Sequence, residues 1–117
     1  MSIASDRMQD VSELTKRLRK EFPRETNSFL AFLKEAENGP NLDAKTKELM
    51  SVALSVAAQC EWCIAFHVRN AGKLGATRAE IIEAGFQAIV MHGGPAFMYM
   101  ERLYDAADTY AADAEAK

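Results

Sequence analysis

The two cysteines of this 117-residue chain are Cys60 and Cys63, and one of its two histidines follows at His67. Two cysteines separated by two residues on a helix have Cα atoms about 5 to 5.5 Å apart, within the ~4.4 to 6.8 Å that a disulfide can span. His67 lies four residues beyond Cys63, and on a helix this spacing places the imidazole on the same face as the sulfur, one turn along. The spacing therefore predicts dithiol and disulfide chemistry with a base beside one thiol.

Glu48 can join this group only if the chain reverses direction between it and the cysteines. In one continuous helix, Glu48 would lie about 18 Å along the axis from Cys60, at about 1.5 Å per residue. If the chain reverses near residue 59, Glu48 and His67 become neighbours on facing helices. The carboxylate would then hold the imidazole as a proton acceptor, and the imidazole would take the proton of Cys63 directly or through a water. A helix start at Cys60 would also favour its thiolate.

The spacing of apolar residues predicts the helices that position these side chains. A first amphipathic helix is expected over about 6–22, and a second begins at Pro23 and ends at Asn38-Gly39-Pro40 through a left-handed cap residue and a helix breaker. Asp43 is a good N-cap for a third helix. From there the pattern runs through the cysteines to Gly75 over about 32 residues, against a usual 11 to 12, so a break is expected near residues 58–60.

Two more helices complete the predicted bundle. Thr77 and Glu80 match a capping box, which precedes a helix over 79–91 that is apolar around most of its circumference and should be buried on more than one side. A turn at Gly93-Gly94 leads into a last helix from Pro95 through Ala107, and the tail beyond about residue 108 should fray. The sequence shows no alternating strand pattern. It therefore predicts a single all-α domain over residues 1–117, a bundle of about six helices.

Composition narrows the classes of function. Lys and Arg number 14 against 17 Asp and Glu, a net charge of −3, and no basic cluster interleaves with aromatic residues, which argues against nucleic acid or an anionic membrane surface as partner. The start lacks the apolar run of a signal peptide, and no apolar stretch reaches the ~18 residues of a membrane span. A cytoplasmic location is expected, where a Cys-x-x-Cys pair is more often catalytic or metal-binding than structural. In so short a chain, any deep pocket should need a partner subunit.

Four residues and their spacing form a pattern: Glu48, eleven residues, Cys60-x-x-Cys63, three residues and then His67. This pattern resembles the signature of the alkylhydroperoxidase D branch of the carboxymuconolactone decarboxylase family. The resemblance covers about residues 40–105 and includes the flanking segments Lys47-Glu48-Leu49, 71–76 and 93–96. It implies an all-helical fold, assembly as a homotrimer or homohexamer, and reduction of peroxides by the cysteine pair with help from Glu48 and His67.

The expected function is thus a thiol-dependent peroxidase or disulfide reductase with an antioxidant role. Its partners would be a hydroperoxide and an external dithiol of lipoyl or thioredoxin-like type, and no cofactor or metal is expected. The spacing to His67 favours Cys63 as the activated sulfur and Cys60 as the sulfur that meets an external partner. Which cysteine meets peroxide first stays open.

The sequence also departs from the family pattern and leaves alternatives. The best-studied members carry a histidine between the cysteines, where this chain has Glu61-Trp62, and this difference affects reduction potential and partner choice. Decarboxylase members typically lack the cysteine pair, so lactone decarboxylation is not expected. The remaining alternatives are a thiol–disulfide exchange protein without peroxidase activity and a small zinc protein that uses the two cysteines, His67 and Glu48 as ligands. His92 is expected to contact solvent or another subunit.

Overall fold

A computed structural model of the protein describes residues 1–114, which form six α-helices and no strand. The helices are α1 (Ile3–Glu21), α2 (Pro23–Glu37), α3 (Ala44–Ala57), α4 (Glu61–Lys73), α5 (Arg78–His92) and α6 (Gly94–Tyr110). The predicted all-α bundle of six helices is therefore confirmed. The fraying expected beyond about residue 108 is wrong for the described residues, because α6 continues to Tyr110, Ala111 is buried and the Ala112 N–H donates to Ala76 O at 2.8 Å. Residues 115–117 of that predicted tail lie outside the described residues.

The core lies among α3, α4, α5 and α6, and α1 packs across α4 and α6. A Cβ on Gly85 of α5 would collide with the Leu103 and Met100 side chains of α6, so this glycine permits the close crossing of the two helices. The start of α1 is fastened to α6 because the Ala4 N–H donates to Asp105 Oδ2 at 2.7 Å. The largest fully buried side chains are Val52, Val56, Ile64, Val68, Ile81 and Leu103.

The predicted caps of α3 and α5 are confirmed, whereas α1 begins at Ile3, before the predicted start near residue 6, and the end of α2 is formed differently. Asp43 caps α3 by accepting from the Thr46 N–H at 2.8 Å, and both hydrogen bonds of the Thr77 and Glu80 capping box are present at α5. The left-handed cap expected at the end of α2 is wrong, because Asn38 has φ −115°. The helix still ends at Glu37, since Pro40 lies too close for the helical pattern to continue.

The break predicted near residues 58–60 separates α3 from α4. Gln59 has φ 57°, its N–H donates to Val56 O at 3.1 Å, and the Cys60 N–H donates to Ser55 O at 3.2 Å. This is the Schellman pattern of helix termination, in which glycine usually occupies the left-handed position. A glutamine there costs roughly 1 kcal/mol, and in return the chain reverses immediately before Cys60.

Much apolar surface stays uncovered in the single chain. The expectation that α5 is buried on more than one side does not hold within one chain: Ile81 and Ala88 are buried, whereas Phe86, Val90 and Met91 are exposed. Helix α2 has no buried residue at all. Within residues 1–114, no helix combines the length and apolar character that crossing a membrane would require.

Candidate active site

Cys60 and Cys63 lie at the start of α4, where their sulfurs are joined in a disulfide. Their Cα atoms are 5.2 Å apart, as the sequence spacing predicts. Cys60 is the N-cap of α4, and its Sγ accepts from the Cys63 N–H at 3.1 Å. After reduction, this N–H and the positive end of the helix dipole favour a Cys60 thiolate. Cys60 is half-buried and Cys63 is exposed, so Cys63 is the more accessible sulfur in the single chain.

The reversal at Gln59 brings Glu48 of α3 against His67 of α4. Glu48 Oε1 lies 2.8 Å from His67 Nδ1, and the Glu48 side chain is only 5 % exposed. Burial raises the pKa of Glu48, but its hydrogen bond with His67 and the nearby Glu37 carboxyl group outweigh burial and leave that pKa below its usual value. An ionised carboxylate can only accept, so Nδ1 carries the proton and donates to Glu48. Nε2 is then the basic nitrogen of His67.

His67 and Cys63 lie one turn apart on α4, the arrangement that the sequence predicts. The disulfide sulfurs carry no proton, so a hydrogen bond between the Cys63 thiol and His67 can form only after reduction. The ring of Phe66 meets the His67 ring edge-on, with centroids 5.0 Å apart. The four residues predicted for the site therefore form two groups: the sulfur pair at the start of α4, and Glu48 of α3 with His67 of α4.

Glu37 is a fifth member of the site that sequence reasoning missed. Its Oε2 lies 3.8 Å from His67 Nδ1, and one side-chain atom each of Glu37, Glu48 and His67 lie within 4.8 Å of one another. Burial, together with the neighbouring Glu48 carboxylate, raises the pKa of Glu37 to about 7, although His67 opposes the shift. One signal in the sequence could have indicated it: Glu37 ends α2, where the helix dipole disfavours a negative charge.

The two residues between the cysteines are held by other helices. The Glu61 carboxylate pairs with Arg7 of α1 at 3.2 Å and with Arg102 of α6 at 3.4 Å. The Trp62 indole N–H donates to Asp10 of α1 at 3.0 Å. Glu61 and Trp62 therefore fix the first turn of α4 to α1 and α6.

The zinc site considered as an alternative is not assembled in this state. Cys60 and Cys63 are bonded to each other, so their sulfurs are not thiolate ligands. Among the described residues, the side chains that converge are Glu37, Glu48 and His67, which offer oxygen and nitrogen. His92 takes no part in either group; it is exposed at the end of α5 and lines an apolar cleft of about 490 Å³.

Comparison with known proteins places this chain in a family. Residues 22–106 match the model of the carboxymuconolactone decarboxylase family. The chain is 38% identical over 76 residues to uncharacterized protein 4 in the cox locus of Paracoccus denitrificans, covering 65% of this chain and 68% of that protein. It is also 38% identical over 89 residues to an uncharacterized protein of Haemophilus influenzae, covering 76% of this chain and 79% of that one.

Solved structures agree with the sequence matches. A carboxymuconolactone decarboxylase family protein from Legionella pneumophila superposes with a TM-score of 0.87 at 37% identity, covering 92% of this chain and 96% of the other. A family protein from Thermotoga maritima, described with a possible involvement in antioxidative response, has a TM-score of 0.78 at 26% identity and covers 89% of this chain and 88% of its own. The chain belongs to the carboxymuconolactone decarboxylase family.

Proposed function

We propose that this protein is a thiol-dependent peroxidase whose redox centre is the Cys60 and Cys63 pair, assisted by Glu48 and His67. The observation that carries the proposal is the position of the disulfide: it lies at the start of α4, one helical turn before an imidazole that a buried carboxylate holds at 2.8 Å. The family protein from Thermotoga maritima is described with a possible involvement in antioxidative response, which supports the same function.

The first step is the attack of the Cys63 thiolate on a hydroperoxide. His67 accepts the Cys63 proton at Nε2, and Glu48 stabilises the resulting imidazolium through Nδ1. The thiolate forms a bond to the terminal peroxide oxygen, the O–O bond breaks, and the leaving oxygen takes the proton from His67 to give an alcohol or water. Cys63 is now a sulfenic acid.

The second step closes the disulfide. The Cys60 sulfur attacks the sulfenic sulfur, and the hydroxyl group takes the remaining thiol proton and leaves as water. The net reaction converts one peroxide and two thiols into one alcohol, one water and one disulfide. Because the cysteines are one turn apart and already within bonding reach, this step requires no rearrangement of the helices.

An external dithiol, lipoyl or thioredoxin-like, completes the cycle by supplying two electrons and two protons. Exposure favours Cys63 as the sulfur that this dithiol attacks, whereas the sequence alone favoured Cys60. Attack on Cys63 expels Cys60 as a thiolate, which the N-cap position and the Cys63 N–H stabilise. Cys63 would then be the sulfur that meets both peroxide and reductant.

The uncovered apolar surface supports a homo-oligomeric form of the enzyme. Large apolar side chains of α5 and α6 are exposed in the single chain, and the cleft of about 490 Å³ between α3 and α5 is lined mainly by apolar residues. Exposed apolar surface of this extent is typical of subunit interfaces. A homotrimer or homohexamer is expected, and light scattering at micromolar concentration would contradict it by giving the mass of a monomer.

Peroxide consumption in the presence of dithiothreitol tests the proposed activity. The wild type should consume cumene hydroperoxide catalytically, Cys63→Ser should show none of this activity, and His92→Ala should match the wild type because His92 lies outside the site. Equal consumption by wild type and Cys63→Ser would reject the peroxidase.

The exposed Cys63 also favours a second candidate, a thiol–disulfide exchange protein without peroxidase activity. Cys63 is exposed, and Cys60 would leave as a stabilised thiolate, so the disulfide is suited to attack at Cys63 by a partner's thiol. Rapid reduction of the disulfide by dithiols, with no consumption of any hydroperoxide, would favour this candidate.

A further inference from the structure

Glu37 occupies a position that an ionised carboxylate should avoid. It is the last residue of α2, where the free carbonyls of the helix end disfavour negative charge. Its Oε2 is buried without a hydrogen-bond partner within the described residues, and the neighbouring group is a second carboxylate, that of Glu48. Two carboxylates in one site cannot both ionise without strong mutual repulsion.

A single shared proton resolves this conflict. A protonated Glu37 has one O–H to donate, and the ionised Glu48 carboxylate is a neighbouring acceptor. Glu48 would then accept from both sides, from the Glu37 O–H and from His67 Nδ1. The elevated pKa of Glu37, about 7, agrees with this arrangement.

Glu37 also lies between two clefts, which gives its proton a route to water. One cleft of about 380 Å³ contains Glu37, Glu48 and Lys73, and another of about 290 Å³ contains Glu37 and His67. The charged or titratable side chains that border Glu37 in these clefts are Lys34 of α2, Lys47 and Glu48 of α3, and His67 and Lys73 of α4.

We infer that Glu37 is a further positioning residue of the thiol site: it shares a proton with Glu48 and, once it gives that proton to water, it holds His67 in the protonated form that stabilises the Cys63 thiolate. The inference rests on the proposed function for its consequence, because only a reactive thiol makes use of the imidazolium. The balance is simple: the Glu37 O–H gives its proton to water in the cleft, and the Cys63 S–H gives its proton to His67.

The size of the effect follows from charge and distance. Ionised Glu37 adds a second negative charge 3.8 Å from His67 Nδ1. At about 4 Å, and with the screening of water, one unit charge changes the equilibrium of proton transfer from Cys63 to His67 by roughly fivefold. The reactivity of Cys63 should therefore rise with pH through the titration of Glu37, in addition to the rise expected from the thiol itself.

Two measurements without peroxide test this role. Glu37→Gln keeps a donor toward Glu48 but cannot ionise, and Glu35→Gln is the matched control because Glu35 is an exposed neighbour on α2 with the same charge. Alkylation of Cys63 by iodoacetamide in the reduced protein should be about fivefold slower in Glu37→Gln than in wild type at pH 8 and within twofold at pH 6. Glu35→Gln should match the wild type at both pH values.

Infrared titration of the oxidised protein with a chelator present observes the proton itself. The wild type and Glu35→Gln should show a protonated-carboxyl band that disappears near pH 7, and Glu37→Gln should lack it. A band that persists in Glu37→Gln, or alkylation profiles that coincide at pH 8, would overturn the inference. If Glu37→Gln does not fold, the wild-type titration still decides, because a carboxyl that ionises only below pH 5 excludes the shared proton. If the wild type consumes no peroxide, the proposed function is rejected, but the alkylation and infrared results would still decide the role of Glu37.

Discussion

The two halves of the candidate site differ in their exposure to solvent. The sulfur pair lies at a helix start on the surface, with Cys63 exposed, whereas Glu48 is only 4% exposed and lies between helices with His67. A thiol that must meet substrates needs access to solvent. The groups that move protons benefit from burial, because charge interactions weaken as water screens them. The site thus separates the chemistry of sulfur from the control of its proton.

The largest expected effect comes from disabling the buried half while the sulfurs remain. His67→Ala should slow peroxide consumption by roughly 10² to 10⁴-fold, the contribution typical of a positioned acid–base group. Glu48→Gln should have much of the same effect because it removes the charge that stabilises the imidazolium. The double variant should be little worse than His67→Ala, since the two residues act as one unit. Steady-state kinetics of the three variants measures this, and additive losses would separate Glu48 from His67.

The pH dependence of stability should show that Glu37, next to Glu48 and His67, is protonated in the folded protein below about pH 7. The pKa of Glu37 rises from 4.5 to about 7 on folding, so between these values the folded chain keeps a proton that the unfolded chain releases. Stability from this group is fully present below about pH 4.5 and is lost as pH rises toward 7, by on the order of 1 kcal/mol after allowance for partial exposure. The pKa of Glu48 is lowered, so the stability that it contributes is lost only at more acidic pH.

Urea unfolding at pH 5 and pH 7.5 measures this difference. The free energy of unfolding of the wild type should decline relative to that of Glu37→Gln as pH rises, because glutamine has no proton to lose. The control is Glu35→Gln, whose stability should follow that of the wild type at both pH values. Parallel curves for Glu37→Gln and wild type would show that Glu37 is ionised in the folded protein across this range.

The smallest effect concerns the turn that joins the two halves. Gln59→Gly should stabilise the protein by roughly 0.5 to 1 kcal/mol, since glycine adopts φ 57° without the steric cost of a side chain, although it loses more entropy on folding. Peroxide consumption should stay unchanged if the turn only directs the chain. Thermal unfolding measures the gain, and a loss of stability would mean that the Gln59 side chain contributes contacts of its own.

The sequence predicted those parts of the molecule that depend on neighbours along the chain. The Asp43 cap, the Thr77 capping box and the Cα separation of the cysteines follow from spacing and residue type alone. The break between α3 and α4 could be predicted only from the improbable length of one continuous helix. The break is caused by the left-handed backbone of Gln59, and the sequence there has no glycine or proline that would have indicated it.

The parts that sequence reasoning missed depend on packing between distant segments. Glu37 joins the site only because the end of α2 reaches α3 and α4, a contact that no periodicity encodes. The relative exposure of Cys60 and Cys63 was equally out of reach, since both are at the start of the same helix. In each case the residue type was visible, but its surroundings were not.

A single turnover without an external reductant tests the central proposal most directly. Reduced protein mixed with one equivalent of hydroperoxide should lose two thiols for each peroxide consumed, and mass spectrometry should identify the product as the Cys60 to Cys63 disulfide within one chain. Cys63→Ser should leave the peroxide unconsumed under the same conditions. Persistence of both wild-type thiols after exposure to peroxide, or peroxide consumption that continues in Cys63→Ser, would contradict a peroxidase that uses this pair.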